Sequence, residues 1–198
     1  MAGGGFSPVT GGIALLKSIY DMFKGEEDPV IGRVDETHPL VDETHPPVDE
    51  THPPVGGTDE NADFKEDMAM SESSNKSDIV NTDGFMGKHQ FGDDRLTDFK
   101  NDTGINFNKT DFLNDESLQD QVFDWHVNDI GSYIDSNDLN SFIGKTINGT
   151  KITKQGLIAG AHLGGKYGMR QFLETGGEYN PSDKNGTKIS DYITKFNS

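Results

Sequence analysis

The chain of 198 residues contains no cysteine. That excludes disulfide staples, thiolate metal sites and a cysteine nucleophile, and leaves the chain indifferent to the redox state of its compartment. Basic residues are scarce: 17 Lys and Arg stand against 34 Asp and Glu, a formal charge of −17. A phosphate-binding surface needs the opposite sign, so neither nucleic acid nor an anionic membrane is an expected partner. No run of 18 apolar residues is present, and no membrane span is predicted. Met1 to Phe6 lacks the basic start and apolar run of a secretory signal, so delivery to an extracytoplasmic target would depend on something else. Apolar residues make up only 31% of the chain, so part of it is expected to lie outside any core.

The poverty is unevenly spread. Seven of the eight prolines lie at or before Pro54, whereas ten of the twelve phenylalanines and the single Trp125 lie at or after Phe64. The core is therefore expected in the C-terminal two-thirds. The first 66 residues carry 14 acids and 4 bases, which makes them an acidic arm.

That arm contains a repeat: Val34-Asp35-Glu36-Thr37-His38-Pro39-Leu40, then Val41 to Pro47 and Val48 to Pro54 with the same Val-Asp-Glu-Thr-His-Pro start. The period is seven, but a proline in every copy forbids a coiled coil and biases the preceding histidine to extended backbone. One valine per copy cannot offset the entropy of ordering the chain. An extended spacer is predicted. Its three histidines offer no preformed metal site. Ahead of the spacer, Ile13, Leu16, Ile19, Tyr20 and Phe23 fall at helical spacing and give residues 11–24 one apolar face. Such a short helix is marginal alone and would gain by docking, either on its own domain or on a partner protein; the spacer favours a hook for a partner.

Beyond residue 60 the pattern is mainly α, with at most one small β-hairpin. Helices are predicted at 61–73, 93–102 and 115–136. The last carries Leu118, Val122, Trp125 or His126, Asp129–Ile130 and Tyr133 along one side. Asn148-Gly149 between two short β-prone pairs predicts a two-residue hairpin. Thr153 is placed to cap a helix running to Leu163, which Gly164-Gly165 ends. Further helices are expected at 167–175 and 188–196.

Chemistry concentrates in residues 72–92. Glu72 falls at the C-terminal end of a predicted helix whose core side carries Phe64, Met68 and Ala69. The negative end of the helix dipole and apolar neighbours both disfavour the carboxylate, so the carboxyl is expected to titrate high. An acid protonated near neutrality is what cleavage of a glycosidic bond requires. The glycine-rich loop that follows permits close approach of backbone to a ligand. No phosphate loop, calcium loop, metal-ligand set or cofactor motif stands out.

Glu72-Ser73 followed by Gly84, Gly87 and Gln90 resembles the Glu-Ser…Gly-x-x-Gly-x-x-Gln pattern of the lysozyme-like domain of lytic transglycosylases, without a gap. Gly87-Lys88-His89-Gln90-Phe91-Gly92 is similar to the loop in peptidoglycan-degrading domains of tailed-phage virion proteins. So are Phe112 to Asp115, Leu118 to His126, Ala161-His162-Leu163-Gly164-Gly165 and Ser190-Asp191-Tyr192-Ile193. The resemblance covers residues 62–198 and none of the arm. Two positions depart from it: His89 stands for an aromatic residue or methionine, and His162-Leu163 for Tyr-Asn.

What the resemblance implies is an α+β lysozyme-like domain at 61–198 that cleaves the peptidoglycan glycan strand, with Glu72 as the catalytic acid. Ser73, Gly87, His89, Gln90, His162 and Tyr192 become candidate substrate-binding residues. Ser73 is expected to orient Glu72 or the sugar. His162 is read either as cleft wall or as helix-end packing, and His126 as a structural histidine. Residues 1–30 would anchor the chain to other virion proteins, 31–60 would link, and the enzyme would act in the periplasm on infection, without a cofactor. Hydrolysis with Asp78 or Asp83 as second carboxylate, or a catalytically inactive virion module, are the alternatives.

Overall fold

The computed structural model describes residues 60–182 and 186–197. The hook segment at 11–24, the linker at 31–59 and the repeat histidines lie outside the described residues. Among the described residues there are six α-helices and one two-stranded antiparallel hairpin. None of these helices is long and apolar enough to cross a membrane.

Helix α1 (Glu60–Ser73) brings Phe64, Met68, Ala69 and Glu72 inward at three- and four-residue spacing. It ends at Ser74 and Asn75, both left-handed (φ 57° and 60°), whose amides bond Met70 O and Ala69 O. Helix α2 (Asp93–Thr103) buries Leu96 and Phe99 and stops at Gly104, at φ 72°. Helix α3 (Lys109–Asn114) was not expected. Asn108 and Asp111 form a reciprocal capping box around its first turn, and Phe112 is the side chain it buries.

Helix α4 (Glu116–Ser136) is the central strut, capped by Asp115. Leu118, Val122, His126, Ile130 and Ile134 are buried at a strict four-residue step. Here the structure corrects one position, Ile134 taking the inner place expected for Tyr133; of the pair Trp125 or His126, His126 is buried and Trp125 packs half-buried against the core. A 3₁₀ turn (Leu139–Phe142), also unexpected, leads to strands β1 (Thr146–Ile147) and β2 (Thr150–Lys151), paired Thr146 to Lys151 across the Asn148-Gly149 turn. Both turn residues have positive φ, as a type I′ turn demands.

Helix α5 (Lys154–Glu174) starts at the Thr153 cap and is broken at Gly165, whose φ of 72° and ψ of 162° are non-helical, so that two helical segments meet there at a kink. The two helices expected at 153–163 and 167–175, with a glycine stop between them, are thus present on either side of this break. Gly156, Gly160, Gly164 and Gly168 recur every four residues along it. A Cβ at Gly160 would lie 2.8 Å from Ile193, and one at Gly164 2.6 Å from Ile189. This glycine face lets helix α6 (Ile189–Lys195) lie close against α5. The core joins all six helices, and α6 closes it with Ile189, Tyr192 and Ile193 beside Phe196.

Candidate active site

Glu72 is 3% exposed and sits at the end of α1. Burial pushes its carboxyl from the usual 4.5 up to about 8, while the Lys195 ammonium pulls the other way. The expectation of a high-titrating acid from the sequence thus agrees with the geometry, and desolvation is its main cause.

Helix α5 places His162 over this acid, with Nε2 3.8 Å from Glu72 Oε1. The pair is not ionic near neutrality. Burial, with the Arg95 guanidinium adding to it, pushes His162 down to about 4, so between about pH 4 and pH 8 both groups are neutral. Behind His162, its Nδ1 lies 3.1 Å from His126 Nε2 on α4, and Arg95 Nε on α2 donates to His126 Nδ1 at 2.8 Å. Arg95 is itself held by Asp129, which also accepts from Lys166 at 3.2 Å, and its guanidinium lies 4.0 Å above the Trp125 ring. Burial holds His126 well below its ordinary range as well, with the His162 and Arg95 charges next in weight.

On the opposite flank, the Tyr192 hydroxyl is 3.3 Å from Ser71 Oγ, and Lys195 Nζ donates to Ser71 Oγ. The Tyr192 ring is buried against Phe196. Its hydroxyl reaches Ser71, the residue before the acid, and no open aromatic face is presented to a sugar.

The glycine loop is built as a rigid shelf. Met86 and Phe91 exchange two backbone bonds of 3.0 Å across Gly87–Gln90. Gln119, fully buried on α4, accepts from Lys88 N at 2.7 Å and donates to Ser77 O and Phe112 O. Gln90 is also fully buried, with φ 51°. Its Nε2 donates to Gly87 O at 2.8 Å, and its Oε1 has no partner among the described residues. Ser73 closes the end of α1, donating to Ala69 O and accepting from Lys76 N at 2.9 Å; it is not brought to Glu72.

No family model, curated protein or solved structure matches this chain.

A cleft of about 510 Å³ lies between α1, the loop and α4, with Lys65, Ala69, Asn75, His89, Asp120 and Phe123 in its wall. Lys65 pairs with Asp124 at 2.7 Å on its rim, and Lys88 with Asp120 at 2.7 Å. His89 stacks on Phe123 with ring centroids 4.1 Å apart. Burial, then the charges of His162, Lys88 and Lys65, hold it far below its ordinary range. Glu72 is not part of this wall; Ala69, one turn earlier on the same helix, is. Among the described residues no group of three or more His, Asp or Glu converges as a metal site.

The structure therefore brings His162 to Glu72 and Tyr192 to the preceding Ser71, while His89 lines the cleft and Gly87 and Gln90 lie in the loop beside it. Arg95, His126 and Lys195 were missed as site residues. The Trp125-His126 pair was visible on the long helix, but nothing in its spacing reports contact with a histidine 36 positions later.

Proposed function

We propose that this chain cleaves the bond between N-acetylmuramic acid and N-acetylglucosamine in bacterial peptidoglycan, with Glu72 as the acid. The observation that carries the reading is one buried carboxyl, raised to about 8 at a helix end, beside a glycine-rich loop. Such a group is more than nine-tenths protonated below about pH 7 and can donate to a leaving oxygen.

The carboxyl proton passes to the glycosidic oxygen as the C1–O bond breaks. The resulting carboxylate takes the proton of the muramyl 6-hydroxyl, whose oxygen bonds to C1, and Glu72 is restored in its acid form. The product is a 1,6-anhydro ring. The intramolecular route needs neither a second carboxylate nor a positioned water, which makes it the economical one. By the same resemblance, the chain belongs to a phage particle, held there through residues 11–24, and opens the wall during genome entry.

Mass spectrometry of digested peptidoglycan tests the reaction. Anhydromuramyl products, lighter by one water than hydrolytic ones, are expected, and Glu72→Gln should abolish them. Reducing, full-mass products would move the chain to the muramidase reading. The burial of Glu72, outside the cleft wall, favours a second reading as an inactive sugar-binding or packing module. Absence of any cleavage by the full chain would establish that one.

A further inference from the structure

The hydrogen-bond chain behind Glu72 has a direction. An arginine guanidinium does not lose its proton in proteins and has no acceptor, so Arg95 Nε can only donate to His126 Nδ1. A neutral His126 whose Nδ1 accepts must carry its hydrogen on Nε2. That hydrogen points along the 3.1 Å contact to His162 Nδ1, which must then accept. His162, neutral in turn, carries its hydrogen on Nε2, the atom 3.8 Å from Glu72 Oε1. His162 Nε2 is buried and has no hydrogen-bond partner among the described residues. A fixed donor facing an uncharged acid at slightly more than bonding distance is arranged for the ionised acid.

We infer that Arg95, through His126, fixes the tautomer of His162 so that its Nε2–H receives the Glu72 carboxylate when the acid has given up its proton. The inference rests on the reading of Glu72 as the acid. Arg95 and His126 are positioning residues that touch neither sugar nor carboxyl. No proton travels along the chain, because its outer member cannot release one. Asp129 holds Arg95 from α4, and Asp98 lies 3.5 Å from its Nη1 on α2. Replacing Arg95 by Lys would break the fork, since one ammonium cannot serve both His126 and Asp129 in this geometry.

The charged and titratable groups facing this assembly are Glu72 on α1, His89 in the loop, Arg95 on α2, Asp129 on α4, Lys166 on α5 and Lys195 on α6. Of these only Lys195 lowers the titration of Glu72. A directed N–H on His162 adds a second stabiliser of the carboxylate as the two groups close up.

Long-range proton–nitrogen correlation on the full ¹⁵N-labelled chain at neutral pH reads the tautomers without any activity. Both His126 and His162 should show a bare Nδ1 and a protonated Nε2. A hydrogen on His162 Nδ1, or a doubly protonated ring, overturns the inference. Carbon-detected titration of Glu72 gives the second arm. In His126→Phe the donor is no longer fixed, and the Glu72 titration should rise by about half a pH unit, a threefold change in its ionisation constant. His126→Gln keeps an oxygen for Arg95 and an N–H for His162, and should restore the wild-type titration. Equal titration in wild type and His126→Phe overturns the inference, and should the Phe variant not fold, the tautomers of the wild type decide alone. Where wild type cleaves, kcat in His126→Phe should fall about tenfold at unchanged KM, the scale of one lost hydrogen bond to a charge. A wild type with the predicted tautomers but no cleavage refutes the catalytic reading while leaving the directed chain standing.

Discussion

The amide of Gln119 fills the space that a side chain at Gly87 would need: a Cβ there would lie 2.5 Å from Gln119 Oε1. The same oxygen accepts from Lys88 N, and Gly87 has φ 73°. Both steric room and backbone conformation therefore require glycine. Gly87→Ala should lower the unfolding free energy by about 2 kcal/mol or more, through a left-handed alanine and a displaced buried amide. Denaturant unfolding checks this; a loss under about half a kcal/mol would contradict it.

Lys195 lowers the Glu72 titration through its charge alone. In Lys195→Met that attraction is gone, so the acid should ionise above its present value of about 8. Activity that depends on protonated Glu72 falls as pH rises through its titration, so the alkaline limb of the rate profile should move upward in the variant. A limb that stays or moves down contradicts the assignment of Lys195.

Stability should peak near neutrality. Glu72 titrates higher folded than unfolded, so its contribution is full below about pH 4.5 and is lost as pH rises towards 8. His89, His126 and His162 are held neutral by burial, so their contribution is full above about pH 6.5 and is lost on acidification. Near pH 5.5 unfolding takes up about three protons at the histidines and releases about one at Glu72, a loss of about 3 kcal/mol per pH unit of acidification. Denaturation series from pH 5 to 8.5 measure this, and a maximum below pH 6 would refute it.

His89 is 1% exposed, and neither ring nitrogen has a hydrogen-bond partner among the described residues. Burying an unsatisfied polar ring costs about 1–3 kcal/mol. His89→Met keeps an apolar contact with Phe123 and removes that cost, so it should raise stability by about 1 kcal/mol and flatten the acid limb by one proton. A destabilised variant would show that the imidazole is satisfied in solution. Measuring cleavage in the same variant tests its place in the cleft wall.

Among the described residues, every side chain of the hydrophobic core lies between Phe64 and Phe196. A chain beginning at Asp59 should therefore fold with the helix content of the described residues and retain cleavage. Circular dichroism and the peptidoglycan assay check this; an unfolded or inactive fragment would mean that the preceding residues contribute to the domain.

Local signals were legible because they are local. The Asn148-Gly149 turn, the Thr153 cap, and the helices of Phe64–Met68 and Leu96–Phe99 each rest on chemistry within a few residues. Helix α3 was equally local, in the Asn108–Asp111 capping box, but six residues with one buried phenylalanine carry no periodicity. Gly164-Gly165 was legible as a stop because glycine ends helices, and the non-helical Gly165 does interrupt the helix there. Only the packing of Ile189 against Gly164 reveals the first glycine as a contact surface as well.

From the sequence alone came a mainly helical domain, an acid at a helix end, and the expectation that apolar neighbours would raise its titration. Those follow from helix periodicity and from residues within one turn of Glu72. What the tertiary structure decided is what faces that acid. His162 comes from 90 residues away and Lys195 from 123, each carried in by packing of α5 and α6. Arg95 and His126 set the hydrogen on His162 across two further helices. Distances of 3 to 4 Å between groups so far apart in the chain are set by side-chain interlock in the core, which no spacing rule along the sequence encodes.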